Sequence, residues 1–432
     1  VTQAAESTGA APAEAAGAAA AARAPRCRFC SRPLTRLFVD LGMSPLCESF
    51  LSPGELERME PFYPLTVRVC DSCFLVQLSE YVRPAEIFTD YAYFSSYSTS
   101  WLDHARRYVE AMTERLSLGP SSRVVEIASN DGYLLQYFVR KGIPALGVEP
   151  AANVAAAAEE KGVPTWVGFF GAESAARLAR ERGSADLMIG NNVLAQVPDL
   201  NDFVEGFREM LAPEGVATLE FPHLYRLIEG NQFDTIYHEH FSYFSFRTAE
   251  AIFAAHGLAL FDVEELPTHG GSLRIHAAHR GSARAKPTGR VAAMRRLEEE
   301  AGFGHIETYC SFPERVHRVK RDLLKFLIAA REQGKTVAGY GAPGKGNTLL
   351  NYCGIRTDLV AYTVDRNPHK HGKFLPGTRI PIFPPEKIGE TRPDYVLILP
   401  WNLKDEIMGQ LASIREWGGR FLVPIPEVKD FA

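Results

Sequence analysis

Tyr237 to Ser245 reads YHEHFSYFS, a tyrosine, two histidines and a glutamate set among aromatic side chains. Groups of these types can bind a metal, move a proton, or form a polar patch without chemistry. A histidine titrates near neutrality, so proton transfer is open to either imidazole. The choice depends on what the rest of the chain places beside them.

A second set lies near the front. Five of the seven cysteines fall between Cys27 and Cys73, four of them as CRFC (Cys27, Cys30) and CDSC (Cys70, Cys73). Each CxxC turn aims two thiolates at one point, and two turns complete the tetrahedral sulfur shell preferred by Zn²⁺. All four corners are then filled, so the expected role is structural. The interval between the pairs exceeds ordinary ribbon spacing, but LTRLFVDLG (34–42) and YPLTVRVC (63–70) read as strands that could join them. Disulfides fit poorly without a secretion signal.

A third set belongs to an alternation of strands and helices beginning at SSRVVEIASNDGYLLQYFVRKG (121–142). Strands and helices alternating at this length call for a parallel sheet with ligands at the strands' carboxyl ends. Glu126 and the loop Ser129-Asn130-Asp131-Gly132 mark the first strand end, and Glu149 closes the second, where a carboxylate can accept both ribose hydroxyls. A dinucleotide site would want G-x-G-x-x-G here. This loop has one glycine and polar, partly acidic neighbours, which suits a nucleoside cofactor without phosphates, S-adenosylmethionine (SAM). NNVLAQVPDL (191–200) follows a later strand, with Asn191 and Asn192 facing the cofactor and Gln196 turned toward substrate. YHEHFSYFS comes after the next strand, VATLEFPHL, and is expected at the same edge.

Near the end, KTVAGYGAPGKGNTLLNYCGI gives a strand, the glycines Gly339, Gly341, Gly344 and Gly346, and a helix. Free N–H groups at a helix start, with a lysine nearby, suit an anion. It is not a Walker loop, because Gly346 follows Lys345 in place of Ser or Thr. The unit reads as a degenerate Rossmann half for a sugar nucleotide, with Lys345, Asn347, Arg366, Lys370 and Lys373 as its diphosphate neighbourhood. Residues 281–320, rich in charge, read as solvated helices.

In combination, the double CxxC, EIASNDGYLL, NNVLAQVPD, FDTIYHEHFSYFS and GYGAPGKGNTLLNYCGI make the chain resemble the SAM-dependent nucleotide-sugar C-methyltransferases, from Cys27 to about Lys429. The resemblance implies a class I SAM-methyltransferase Rossmann-like domain flanked by an N-terminal zinc-binding domain and a C-terminal Rossmann-like α/β domain, with substrate held between the first and last parts. The implied divisions are an Ala-rich extension (1–26), a zinc-binding domain (27–88), a methyltransferase domain (89–300) and a substrate-binding domain (301–432). The implied reaction is C-methylation of a nucleoside-diphosphate 4-keto-6-deoxysugar, at carbon 3 by preference or carbon 5, in branched deoxysugar biosynthesis. Tyr237, Glu239 and His240 match the family's Tyr-x-Glu-His motif, with His240 as base, Tyr237 as donor to the oxyanion and Glu239 orienting a partner or binding a sugar hydroxyl. Tyr91 matches a further active-site tyrosine. Where relatives often carry histidine this chain has Gln196, which cannot exchange a proton at neutral pH. His238 reads as a structural hydrogen bonder. A metal at HEH is disfavoured, since it lacks the HExxH interval. The alternative is an NAD(P)H-dependent ketoreductase using the C-terminal unit.

The totals set the frame. The sequence has 432 residues, 46% hydrophobic and 23% charged, and 47 Lys plus Arg against 52 Asp plus Glu give a net charge of -5. Mild acidity offers no general pull toward nucleic acid or anionic membrane. Residues 1–26 lack the basic start and strongly apolar core of a secretory signal and read as disordered. A cytoplasmic monomer is expected.

Overall fold

The computed structural model describes residues 25–83 and 94–432. Most of the Ala-rich extension, and Tyr91, lie outside the described residues. The chain first forms an antiparallel sheet from β1 (Arg36–Ser44), β2 (Tyr63–Val69) and β3 (Val76–Leu78). In β2 the alternate residues Leu65, Val67 and Val69 turn inward, as a two-residue period requires.

A helix, Thr99–Leu116, leads into the parallel strands β4 (Val124–Ile127), β5 (Ala145–Glu149), β6 (Thr165–Val167), β7 (Ala185–Asn191) and β8 (Leu211–Pro222). The helix Leu200–Met210 shows why these connections fold as they do. Asp199 caps it by accepting the Asp202 N–H at 3.1 Å, and Leu200, Phe203, Val204, Phe207 and Met210 form one buried stripe. The short β9 (Ser242–Tyr243) leaves this domain and pairs with β3, completing the first sheet. β10 (Leu258–Leu266) and β11 (Ser272–His279) then add antiparallel strands beside β8. The resulting order is β10-β11-β8-β7-β4-β5-β6. Successive strands leave β4 in opposite directions, so the crevice at its carboxyl end is the topological switch point where such sheets bind ligands.

The third sheet contains β12 (Val337–Tyr340), β13 (Thr363–Val364), β14 (Ile382–Phe383), β15 (Tyr395–Ile398), β16 (Arg420–Val423) and β17 (Lys429–Phe431). Its order is β14-β13-β12-β15-β16-β17, parallel except for β17. β12 is its switch point.

The first and third sheets share a hydrophobic core. Phe38 stacks on Phe312 with ring centroids 4.8 Å apart, and Phe74 stacks on Tyr309 at 5.6 Å. This corrects the expectation of solvated helices in the charged stretch. The helix Phe312–Glu332 is charged on one side only and buries Phe312, Val316, Val319, Leu323 and Leu327 on the other. Among the described residues no helix is long and apolar enough to cross a membrane.

Candidate active site and zinc centre

The two cysteine turns are built alike. The Cys27 carbonyl accepts the Ser31 N–H at 2.9 Å while the Cys27 N–H donates to Arg32 at 2.8 Å; Cys70 repeats both bonds with Phe74 and Leu75 at 2.9 and 3.0 Å. Ser31 and Phe74 both sit at φ 60, where the chain doubles back. Cys27 Sγ lies 3.5 Å from Cys73 Sγ, Cys30 Sγ lies 3.5 Å from Cys70 Sγ, and all four sulfurs fall within 4.8 Å of one another. Zn–S bonds of ~2.3 Å imply sulfur–sulfur edges of ~3.8 Å, so the donors suit zinc in type, number and spacing. Gln77 Nε2–H reaches Cys27 Sγ at 3.2 Å, an outer partner of the kind that orients metal ligands.

The loop after β4 is held by its own acids. Ala128, Asn130 and Gly132 have φ of 55, 49 and 72, which folds the loop tightly. Glu149, at the end of β5, takes the Asn130 N–H on one oxygen and the Ala151 N–H on the other, each at 2.9 Å. Asp131 pairs with Lys161 Nζ at 2.7 Å. Gly132 also packs closely, since a Cβ there would stand 3.0 Å from Val163 and 3.2 Å from Ala158. Glu126 lies within β4, completely buried, with neither oxygen in a well-formed hydrogen bond. Burial drives its carboxyl well above the usual range. Asn191 and Asn192 leave β7 beside this crevice, each with a buried amide oxygen that has no partner. Buried polar groups without partners are uncommon and mark places where a ligand completes the bonding.

The YHEH segment is fastened to the turn after β7, where the Phe241 N–H donates to the Ala195 carbonyl at 2.7 Å, next to Gln196. His240 is 9% exposed, and its Nδ1 lies 3.2 Å from the Thr235 carbonyl. A carbonyl only accepts, so the proton sits on Nδ1 and Nε2 keeps a lone pair. Burial brings this imidazole down to about 4, with the charges of His269 and Lys345 acting in the same sense and the Thr235 bond opposing them. The Tyr237 ring lies 4.2 Å from it, centroid to centroid. Glu239 is buried against Cys47, whose thiol stands 3.4 and 3.3 Å from its two oxygens. Burial, aided by the neighbouring charge of Glu48, pushes this carboxyl up to about 7. His238 sits 3.2 Å from the Pro64 carbonyl, in keeping with a structural hydrogen bonder.

From the third sheet, the helix Gly344–Cys353 points its start into the same space. A Cβ on Gly344 would lie 2.7 Å from Cys47 Sγ. Lys345 Nζ sits 4.7 Å above the Trp401 ring and bonds Asn402 Oδ1 at 2.8 Å. Desolvation lowers the Lys345 ammonium, with the buried Asp234 opposing. Asn347 is 1% exposed, and neither end of its amide has a partner. Lys370 Nζ bonds the Ala342 carbonyl at 2.9 Å and approaches Glu48 at 3.7 Å. Arg366 instead leans toward Glu406 at 3.8 Å, and Lys373 is exposed, so these two stand outside the enclosed part of the cluster.

Reasoning from the sequence did not single out Cys47, Asp234, Trp401 or His269. The last occupies the turn Thr268-His269-Gly270-Gly271 between β10 and β11. It is exposed, with Asn192 at 3.3 Å and the Trp101 ring at 5.7 Å. Behind it the buried Glu220 binds His104, Arg274 and Thr268 at 2.9, 2.8 and 2.8 Å. Burial alone would raise Glu220, yet those partners bring it down to about 2. The glycine pair of THGG was the available sign, since such pairs mark turns and not roles.

Comparisons with known proteins show the family. Residues 27–88 match a zinc binding domain, 101–263 a methyltransferase domain, and 267–426 a C-methyltransferase C-terminal domain. The C-methyltransferase NovU of Streptomyces niveus is 38% identical over 401 residues, covering 93% of this chain and 95% of that one. Among solved structures, a SAM-dependent methyltransferase from Anabaena variabilis shares 15% identity over 40% of this chain and 84% of its own, with a TM-score of 0.33. The magnesium protoporphyrin IX methyltransferase of Synechocystis, solved with bound SAM, shares 13% over 42% of this chain and 81% of its own, at 0.32. The family matches and the full-length likeness suffice: this chain belongs to the SAM-dependent C-methyltransferases, with a zinc-binding domain at its amino-terminal end.

Proposed function

We propose that the protein methylates the carbon next to the ketone of a nucleoside-diphosphate 4-keto-6-deoxysugar, carbon 3 by preference and carbon 5 as the alternative. The observation that carries this reading is a juxtaposition. The segment holding His240, with its free Nε2, is bonded to the turn after β7 through the Ala195 carbonyl. It is also bonded to the helix of the unpartnered Asn347, through Thr348 Oγ1–H on the Ile236 carbonyl at 3.0 Å.

SAM, when bound, supplies an electrophilic methyl group on a sulfonium. Glu149, Asn130, Asp131 and Gly132 form the loop that would hold it, with Glu126, Asn191 and Asn192 lining the crevice. His240 Nε2 takes the proton from the carbon beside the ketone, leaving an enolate, and general bases of this kind contribute about 10²- to 10⁴-fold. Its low affinity for protons keeps it unprotonated at neutral pH but makes it a weak base, so proton removal depends on stabilisation of the enolate oxygen. Tyr237 stabilises the enolate oxygen, and Glu239 binds a sugar hydroxyl. Gln196 offers a hydrogen bond to the sugar. Lys345, Asn347 and Lys370 receive the diphosphate, with Arg366 and Lys373 at its outer side. Tyr91 is proposed as a further active-site group. The C–H electron pair becomes the new C–CH₃ bond, and S-adenosylhomocysteine departs.

The test is mass spectrometry with deuteromethyl SAM and a panel of nucleoside-diphosphate 4-keto-6-deoxysugars. One labelled methyl on the sugar, absent with His240→Ala while SAM still binds, is the expected result. No transfer to any sugar of the panel would overturn the reading, and NMR of a product names the carbon.

A further inference from the structure

We propose that His269 is a catalytic residue of this site, a neutral imidazole that donates its Nδ1–H to the ketone oxygen as the enolate forms. The inference rests on the proposed reaction. It begins with backbone geometry. His269 holds φ 55, a left-handed conformation that residues with a Cβ rarely adopt, although glycines stand next to it at positions 270 and 271. Strain of this kind persists where the surroundings over-determine it, and it clusters at functional sites.

The surroundings are specific. Thr268 Oγ1–H donates to Glu220 at 2.8 Å, the Gly270 carbonyl accepts from Gln232 Nε2–H at 2.8 Å, and the Gly271 carbonyl accepts the His223 N–H at 3.0 Å. A Cβ on Gly270 would stand 2.6 Å from Trp401, the residue beneath Lys345. The turn is therefore a fixed platform between the methyltransferase sheet and the third sheet, where methyl donor and sugar must meet. Its one long side chain, His269, lies against Asn192 and Trp101.

The hydrogen bonding sets the tautomer. Asn192 Nδ2–H approaches His269 Nε2 at 3.3 Å, and an amide N–H can only donate. Nε2 is then the acceptor, and Nδ1 carries the proton. Desolvation and the charge of Lys345 disfavour the charged form of this imidazole, although the residue is exposed. A neutral N–H aimed at a developing oxyanion stabilises it without reorganising. Each ring would feel the other's charge if protonated, which places His269 within electrostatic reach of His240, the one to hold the oxygen and the other to take the proton.

The test separates enolate formation from methyl transfer. With S-adenosylhomocysteine bound, exchange of the sugar C–H in D₂O reports enolate formation alone. His269→Gly keeps a residue at ease with the left-handed backbone, so folding, followed by thermal melting and zinc content, should be preserved. Exchange and kcat should both fall by about 10²- to 10³-fold with KM little changed, and added imidazole should restore much of the rate. Unchanged exchange in a folded, zinc-loaded His269→Gly would overturn the role, as would a rate loss that imidazole cannot rescue. A wild-type enzyme that neither exchanges nor methylates any sugar would instead overturn the reaction, and this role with it.

Discussion

The molecule contains two strand–loop–helix units at sheet switch points, one after β4 and one after β12. In the first, protein carboxylates already hold the loop, with Glu149 taking two backbone N–H groups and Asp131 fixed by Lys161. The second has a lysine at its helix start and a buried amide with no partner at all. Both loops are set by a carboxylate, since Asp365 takes the Ala342 and Asn367 N–H groups at 2.7 and 2.8 Å, as Glu149 holds the first. Both crevices keep buried polar atoms without partners. The units differ in charge, acidic in the first and basic in the second. A preformed acid-lined loop suits a nucleoside with a charged methionine tail. A lysine and an unsatisfied amide suit oxygen-rich phosphates and sugars. On the proposed function, the same topology serves two ligand chemistries through a few side chains.

Three substitutions probe this contrast. The largest effect is expected from Glu149→Ala, which removes an acceptor holding both Asn130 and Ala151. Each hydrogen bond to a charged group is worth ~1.5–3 kcal/mol, so SAM affinity measured by calorimetry should fall by on the order of 100-fold. Sugar-nucleotide affinity should hold, and an equal loss of both would break the distinction between the units. Asn347→Leu should act in the opposite place and with a mixed sign. The sugar-nucleotide KM should rise about 10-fold, while the ligand-free protein should be as stable as the parent or gain ~1 kcal/mol, because an unsatisfied buried amide is gone. A clear destabilisation without change in KM would mean that the amide serves the fold. Gly132→Ala is the mildest. The left-handed backbone and the contact with Val163 should cost ~1–2 kcal/mol, visible as a few degrees of lost melting temperature. A neutral result would show that the loop has more freedom than its φ values suggest.

What could be read from the sequence follows from how far apart the partners lie. The cysteine pairs, the SNDG loop and the glycines around Lys345 are local patterns, because two-residue intervals and strand–turn–helix rhythm are set by neighbouring residues. His269 could not be read in the same way. Its setting is assembled from Asn192, Trp101 and Trp401, which meet only after the second and third sheets have packed. Cys47 is similar, since its partner Glu239 comes from another part of the chain. The buried stripe of the helix Phe312–Glu332 was present in the spacing of its apolar residues. Charge density in the same stretch hid it.

The pairing of β9 with β3 has a consequence for biosynthesis of the chain itself. Ser242 and Tyr243 close a sheet whose other strands end at Leu78, and they follow directly on the YHEH segment. As the ribosome releases the chain from its amino-terminal end, the cysteine turns can capture zinc early. Their sheet then waits with an open edge until the methyltransferase domain has been made. Completion of the first layer and formation of the catalytic wall thus become one event, so a nascent chain arrested before Tyr243 should expose an unpaired strand and depend on chaperones.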